Sequence, residues 1–266
     1  AATLDISGNA DIDGTMEADA YTLGGASFIK VEGTNFTDSL LIGHTTTGTL
    51  NAAQKNTGVG IDALDAITSG DSNTAVGFSA GTANTTAGYN TFIGAYSGNA
   101  TSDGESSTGV GYNTLAYNNG TANTAVGGAA STQNSTGSWN CAIGHSALEG
   151  VSSNNHSYNT ALGSRSNELI TTGGYNITVG YQSGDNLTTG SGNIIIGSVD
   201  AGSATGSHQL KIDGYNGSSH VLWIDGDSSG NVTMPAEIAA ATLDISGAID
   251  IDGTANLDTV DIDGAV

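Results

Sequence analysis

The sequence predicts an all-β repeat protein, a parallel β-roll (solenoid) of short coils flanked at both ends by a different kind of β segment. Three observations predict it. An aliphatic residue followed by glycine recurs ten times at a spacing of about 17 residues, the intervening stretches are rich in Gly, Ser, Thr and Asn, and no run has helical periodicity. A unit this short cannot bury its apolar face alone, but stacked units form a continuous core about 50 Å long at about 4.8 Å per coil.

Each unit contains the motif Asn-Thr-small-aliphatic-Gly, for example at Asn73-Thr74-Ala75-Val76-Gly77. Side chains of a strand alternate between faces, so the Thr and aliphatic columns share one face and the small column points the opposite way. The β-branched residues predict that the Thr and aliphatic face is packed and buried. The small column would let another backbone surface approach closely. The repeat glycines are Gly43, Gly60, Gly77, Gly94, Gly111, Gly127, Gly144, Gly163, Gly180 and Gly197.

The other positions of the unit predict its turns. Asn bonds nearby backbone and tolerates a left-handed φ, and stacked Asn side chains can form ladders between coils. The closing glycine permits a sharp corner. A polar stretch such as 68–72 follows in each unit. We therefore expect two short strands and two turns per coil.

The flanks follow another rhythm, and the chain divides accordingly. Residues 2–8 recur at 241–247, and residues 11–15 recur at 250–254. Short alternating strands with glycine corners would each expose one face in a single chain, so three chains around an axis are expected to bury those faces together as a homotrimer. Strand-like runs after the repeats predict a hairpin that caps the last coil. The predicted domains are a β shaft segment at 1–24, the β-roll at 25–205 with its ladder at 39–197, the β-hairpin cap at 206–236, and a resumed shaft at 237–266.

Composition excludes several classes of function. The 266-residue chain has 26 Asp+Glu against 4 Lys+Arg, a net charge of −22, which argues against nucleic acid as a partner. No apolar run approaches the 18 residues of a spanning helix, so no membrane insertion is expected. A single cysteine excludes a disulfide framework. Only about 19% of residues are Leu, Ile, Val or Phe, which would suit a disordered chain if they were scattered, but they recur in phase.

The Asn-Thr-Ala-Val-Gly ladder resembles the repeats of YadA-like heads in trimeric autotransporter adhesins and in phage tail fibres. The flanks, with Leu4–Gly14, look like the triple-stranded β shafts of phage tail fibres and related virion fibres. The resemblance implies a left-handed parallel β-roll, three copies of which pack through their small-residue sheets into a trimer. The repeat unit is longer than that of the adhesins, and neither a coiled-coil stalk nor a membrane anchor is evident. These departures favour the phage-fibre branch.

No residues form a catalytic constellation, so we expect no enzymatic activity, and the five His lack metal-ligand spacing. One segment matches the start of a calcium loop, with Asp225 and Asp227 followed by Ser229 and Asn231. The twelfth residue is Ala236 rather than Glu, so the bidentate ligand is missing. Ca²⁺ at these four residues is therefore one hypothesis, and a polar hairpin turn is the alternative. No other cofactor is expected.

The expected function is a structural and adhesive fibre segment of a virion, located on the virion surface or otherwise extracellular. Its partners would be two further copies, other virion proteins, and a host cell-surface receptor or glycan. One alternative is a bacterial trimeric surface adhesin or extracellular filament. A second is a monomeric carbohydrate- or ice-binding solenoid with a flat Thr array, which the predicted burial of the Thr column argues against. Aromatic residues of the turns either bind sugars or cover grooves between coils: Tyr89, Tyr96, Tyr112, Tyr117, Trp139, Tyr158, Tyr175 and Tyr181.

Overall fold

A computed structural model describes residues 21–23, 26–33, 35–43, 49–151 and 154–235, with side chains from residue 35 onwards. The chain divides into two compact units, Ala1–Pro235 and Ala236–Val266, and every described residue belongs to the first. The predicted resumed shaft at 237–266 and residues 1–20 of the predicted first shaft lie outside the described residues.

The described residues form a single sheet of 16 strands and contain no helix, which confirms the all-β prediction. The strands are β1 Tyr21–Leu23, β2 Ala26–Gly33, β3 Phe36–Ile42, β4 Ala53–Gln54, β5 Thr57–Val59, β6 Thr74–Val76, β7 Thr91–Ile93, β8 Thr108–Val110, β9 Thr124–Val126, β10 Cys141–Ile143, β11 Thr160–Leu162, β12 Ile177–Val179, β13 Ile194–Ile196, β14 Leu210–Tyr215, β15 His220–Gly226 and β16 Val232–Thr233.

Strands β3 and β5 to β13 stack in parallel, each one coil beyond the last, with equivalent residues in register. Thr57 pairs with Thr74, which pairs in turn with Thr91. The predicted parallel β-solenoid with coils of about 17 residues is thereby confirmed. Because the register holds through every coil, each position of the repeat forms a straight column along the solenoid.

Each coil from β5 to β13 contributes one three-residue strand, so the expectation of two strands per coil is wrong. The segment after each repeat glycine is a series of turns with left-handed residues, such as Asp62 at φ 58° and Leu64 at φ 57°. A strand cannot include these dihedral angles. The turns of neighbouring coils are still joined by backbone hydrogen bonds, as from Leu64 N to Ala80 O at 3.0 Å.

The interior of the solenoid contains the small column, and this reverses the predicted orientation of the strands. Ala75, Ala125, Ala142 and Ala161 are completely buried, whereas the Thr and aliphatic residues beside them face outward. The prediction that the Thr and aliphatic face is buried within the fold is wrong. So is the expectation that small-residue sheets meet between chains, because the coil's own turns occupy that side.

Phe92 is the largest residue of the small column, which also contains Leu41 and Ile195, and neighbouring glycines make room for its ring. It is fully buried. A Cβ on Gly98 would lie 2.6 Å from Phe92 Cδ1, and one on Gly81 would lie 3.1 Å from Cδ2. Most other coils place Leu, Ser or Asn where these two glycines stand, as at Leu64 and Leu115. Space for the ring therefore comes both from its own coil, at Gly98, and from the preceding coil, at Gly81.

A ladder of buried Asn side chains holds the coils together and confirms that stacked Asn can bridge coils. Asn73 Nδ2 donates to Asn56 Oδ1 at 3.1 Å and to the carbonyl of Ala87 at 2.9 Å, and Asn73 Oδ1 accepts from the backbone N–H of Asn90 at 3.0 Å. Each rung thus joins the start of a strand both to the next coil and to the far end of its own coil. At the last rung Gln209 takes the Asn position, with its N–H 2.8 Å from Asn193 Oδ1.

Ser107 interrupts the ladder, and a second Asn repairs it. The Ser107 N–H still donates to Asn90 Oδ1 at 2.9 Å. Asn118, from the following turn, reaches into the gap and accepts from Asn123 Nδ2 at 2.9 Å. The buried donors therefore keep their partners although the repeat residue is missing.

Antiparallel strands close the described solenoid at both ends. β1, β2 and β3 pair antiparallel at the start, so the last residues of the predicted first shaft join the same sheet. β14 continues the parallel stack from β13, then forms an antiparallel hairpin with β15, to which β16 adds. The edge strands are short, which limits pairing with other chains at the sheet edges.

Candidate interaction face

One uninterrupted surface of the solenoid is the face made by the Thr and aliphatic columns of β5 to β13, which we call the outer face. Along each strand the Asn and small residues point inward, so the alternating residues point to solvent. All outer-face residues are half-buried or exposed: Thr57, Val59, Thr74, Val76, Thr91, Ile93, Thr108, Val110, Thr124, Val126, Cys141, Ile143, Thr160, Leu162, Ile177, Val179, Ile194 and Ile196.

The outer face has no charged residue in a chain of net charge −22. From β5 to β13, the described acidic residues lie instead in the turns and connecting segments, among them Asp62, Asp65, Asp71, Asp103, Glu105, Glu149, Glu168 and Asp185. Nine strands at about 4.8 Å, each three residues or about 10 Å long, give a face on the order of 400 Å². Contiguous apolar patches above a few hundred Å² mark interaction sites. The outer face is therefore an uncharged, exposed sheet surface and a candidate interaction face.

Two further columns border the outer face, one at each end of its strands. The leading column is the residue before the Asn position: Lys55, Ser72, Tyr89, Ser106, Ala122, Trp139, Tyr158, Tyr175 and Gly192. The trailing column is the residue after the repeat glycine: Ile61, Phe78, Ala95, Tyr112, Gly128, His145, Ser164, Tyr181 and Ser198.

Most aromatic rings singled out in the sequence lie in these two columns and are exposed. Tyr89, Tyr112 and Trp139 expose 67%, 63% and 60% of their surface. Tyr158 and Tyr175 stack on adjacent coils with ring centroids 4.7 Å apart. Tyr96, beside the trailing column, meets Phe78 and Tyr112 edge to face at 5.3 and 5.9 Å. The rings touch one another but leave much of their surface open to contacts outside the chain.

The predicted calcium-loop residues lie at the β15–β16 turn and already have partners. Asp225 pairs with Lys211 Nζ at 3.0 Å. Asp227 Oδ1 accepts from the N–H groups of Ser229 and Asn231, and its Oδ2 accepts from Asn231 Nδ2, which lowers the pKa of this carboxyl. Ca²⁺ binding stays a prediction, and an ion there would compete with these donors.

Two carboxyls share a shallow depression where the last coils meet the cap. Desolvation, together with the hydrogen bond and charge of Asp200, raises the pKa of Asp185 to about 6. Gln182, Ser198 and His220 complete the lining. Within the described ranges, no group of three His, Cys, Asp or Glu residues is placed to share a metal ion.

His156 is the one described histidine that is fully buried, in the coil lengthened by two residues. Equivalent positions in neighbouring coils hold Gly137 and Gly173, so its imidazole occupies space that other coils leave to backbone. Burial lowers its pKa to about 4, against a weaker opposing hydrogen bond with the backbone of Leu148. The ring is therefore neutral near pH 7.

We expect acid to destabilise the fold through His156. The folded-state pKa lies below the unfolded value of 6.5, so the unfolded chain gains a proton first and stability falls as pH drops from 6.5 towards 4. Between pH 7 and pH 5 the loss is about 2 kcal/mol. Urea unfolding at both pH values should show this loss, and His156→Gly, which restores the common residue, should remove it. An unchanged pH dependence in the variant would contradict the assignment.

No protein-family model, curated protein or solved structure matches this chain. The described part of the chain contains no helix with the length and apolar character needed to cross a bilayer. The fold itself defines the class: a parallel β-solenoid repeat protein with an uncharged, exposed sheet face.

Proposed function

We propose that the chain is a structural and adhesive segment of an extracellular fibre, homotrimeric, and part of a virion such as a tail fibre that attaches to a host surface. The observation that carries the proposal is the outer face, a flat uncharged sheet along a rod-like solenoid. Its area of roughly 400 Å² lies in the range of exposed patches that serve as interaction sites. A regular stack of coils is suited to bearing load and presenting a surface, and no catalytic chemistry is proposed.

The trimer uses the outer face rather than the small-residue column. Three copies around an axis bring their Thr and aliphatic residues together and leave the acidic turns outside, where solvent ions screen them. Trimer formation is thus consistent with the high net charge, because the buried surface contains none of it. Host receptors or glycans, and neighbouring virion proteins, would bind the surfaces that remain.

A charge placed on the outer face should dissociate the trimer. Val76→Asp would set three carboxylates around the axis in a desolvated site, which costs several kcal/mol. Sedimentation equilibrium should give three times the chain mass for the unmodified protein and the single chain mass for the variant. Thr86→Asp, which adds the same charge at an exposed position off the face, should remain trimeric. An unmodified chain that sediments as a monomer would contradict the trimer.

Immunogold electron microscopy distinguishes the proposed setting from its nearest rival. Antibodies raised against the chain should label virus particles in samples of the source whose DNA encodes it. Label on cell envelopes would favour a bacterial trimeric adhesin or extracellular filament instead.

A second candidate is a monomeric ice- or carbohydrate-binding solenoid, and the exposure of the Thr column favours it. Thr57, Thr74, Thr91, Thr108 and Thr124 line up in register on the outer face. The argument against this candidate depended on their burial within the chain, which the structure overturns. A chain that sediments as a monomer and arrests ice growth or binds polysaccharide would replace the fibre proposal.

A further inference from the structure

The aromatic residues of the leading column are not needed by the fold. Tyr89, Trp139, Tyr158 and Tyr175 have φ between 60° and 63°, a left-handed conformation that costs a bulky residue about 1 kcal/mol or more. The same position holds Ser, Ala or Gly in other coils with a similar φ. The four rings remain 48–67% exposed, so burial within the chain recovers little of that cost. Tyr158 and Tyr175 stack on each other, whereas Tyr89 and Trp139 have no ring contact within the described residues, so contacts beyond the chain are a further use for this column.

In four of the nine coils, an aromatic residue in one of these two columns accompanies Ala or Ser in the other. The remaining pairs are large at both ends (Trp139/His145 and Tyr175/Tyr181), small at both ends (Ala122/Gly128 and Gly192/Ser198), or Lys55 with Ile61. The two ends are six residues apart, up to about 20 Å along a strand, so these residues cannot touch within one chain. The four reciprocal pairs are Ser72/Phe78, Tyr89/Ala95, Ser106/Tyr112 and Tyr158/Ser164.

The dimensions of three packed sheets place these two columns at the corners between chains. Packed sheets lie about 10 Å apart, so each outer face sits about 5 Å from a threefold axis. A triangle of that inner radius has sides of about 17 Å, close to the span between the leading and trailing columns. In a closed ring with threefold symmetry, the leading edge of one chain meets the trailing edge of the next.

We infer that, in the homotrimer proposed above and on which this inference rests, the leading column of each chain packs against the trailing column of its neighbour, coil for coil. In the four reciprocal coils a ring on one edge then faces a small residue on the other, so that neither a gap nor a clash results there. The occupant of each aromatic edge is a second copy of this chain. The pairing fixes the register of the three chains, which the outer face, with similar residues in every coil, does not do by itself.

Exchanging one reciprocal pair tests the contact. Ser106→Tyr sets ring against ring, and Tyr112→Ser leaves small against small. Each single variant should raise the trimer dissociation constant at least tenfold by sedimentation equilibrium. The double variant Ser106→Tyr/Tyr112→Ser should return to within about threefold of the unmodified protein. Tyrosine is accommodated at this position in other coils, so the variants should fold, as circular dichroism will verify. Additive losses in the double variant would overturn the inference.

Cross-linking tests the register directly, in a Cys141→Thr background that removes the native thiol. Ser106→Cys with Tyr112→Cys places the two thiols on one coil, and oxidation should give a covalent trimer on a non-reducing gel. Ser72→Cys with Tyr112→Cys separates them by two coils, about 10 Å, beyond the reach of a disulfide, and should stay uncross-linked. Equal cross-linking of both would overturn the register. A trimer by sedimentation without same-coil cross-links would leave the fibre proposal standing and free the rings for another ligand, whereas a monomer would remove both.

Discussion

Gly77→Ala is expected to cost about 2–6 kcal/mol of folding stability. Gly77 has φ +137°, which L side chains rarely adopt. An added Cβ would lie 2.6 Å from the carbonyl carbon and 2.7 Å from the oxygen of Gly94 in the next coil. Backbone strain of about 1–3 kcal/mol and overpacking of similar size add, because the clashing atoms are backbone and cannot rotate away.

Gly217→Ala is the matched control for Gly77→Ala. Gly217 also has a positive φ, +95°, but nothing lies within 4 Å of its added Cβ. It should therefore show the strain without the clash, about 1–3 kcal/mol. Urea unfolding followed by circular dichroism at one protein concentration measures both. If the two variants shift the midpoint equally, stacking of the corner glycines is not what excludes a side chain at Gly77.

Asn73→Ala is expected to cost about 3–5 kcal/mol. It removes the partner of the Asn90 N–H and of the Ala87 carbonyl, both inside the solenoid. An unsatisfied buried polar group costs about 1–3 kcal/mol, and the vacated volume adds to this. The exposed Asn51 provides the control, and Asn51→Ala should change stability by less than about 0.5 kcal/mol.

A second variant, at Asn118, also tests how much the Asn ladder contributes to stability. Asn118→Ala should behave like Asn73→Ala, because Asn118 supplies the acceptor for Asn123 Nδ2 that Ser107 is too short to provide. A loss below about 1 kcal/mol in both ladder variants would show that ordered water replaces the side chains. The ladder would then contribute specificity of stacking rather than stability.

Much of the architecture could be predicted from the sequence because the repeat is periodic. The spacing of Gly60, Gly77 and Gly94 predicts the coil length, and the in-phase aliphatic residues predict parallel strands in register. The interaction face could not be assigned correctly. Alternation identifies two faces of a strand, but Val76 and Ala75 do not themselves indicate which face the turns will cover.

Some features leave no signal at the level of single residues. Gln209 completes the Asn ladder although it lies in a segment that reads as a separate hairpin. In the sequence, Leu64 reads as a strand residue. Only its left-handed φ shows that it belongs to a turn. His156 reads as a loop residue, and its burial follows from an insertion whose path the repeat does not specify.

By itself, the sequence determined the period, the parallel stacking and the positions of the Asn ladder and the corner glycines, because these depend on residues that recur at fixed spacing. Only the tertiary structure decided that the small column lies inside and that the Thr and aliphatic columns lie outside. The reason is the path of the turns after each repeat glycine, which fold over the side of the strand that bears Ala75. Residues on that side, from Ala75 to the much larger Phe92 and Ile195, are enclosed, whereas Val76 on the other side stays at the surface. That surface is uncharged and regular, and it is where a second copy of the chain is proposed to bind.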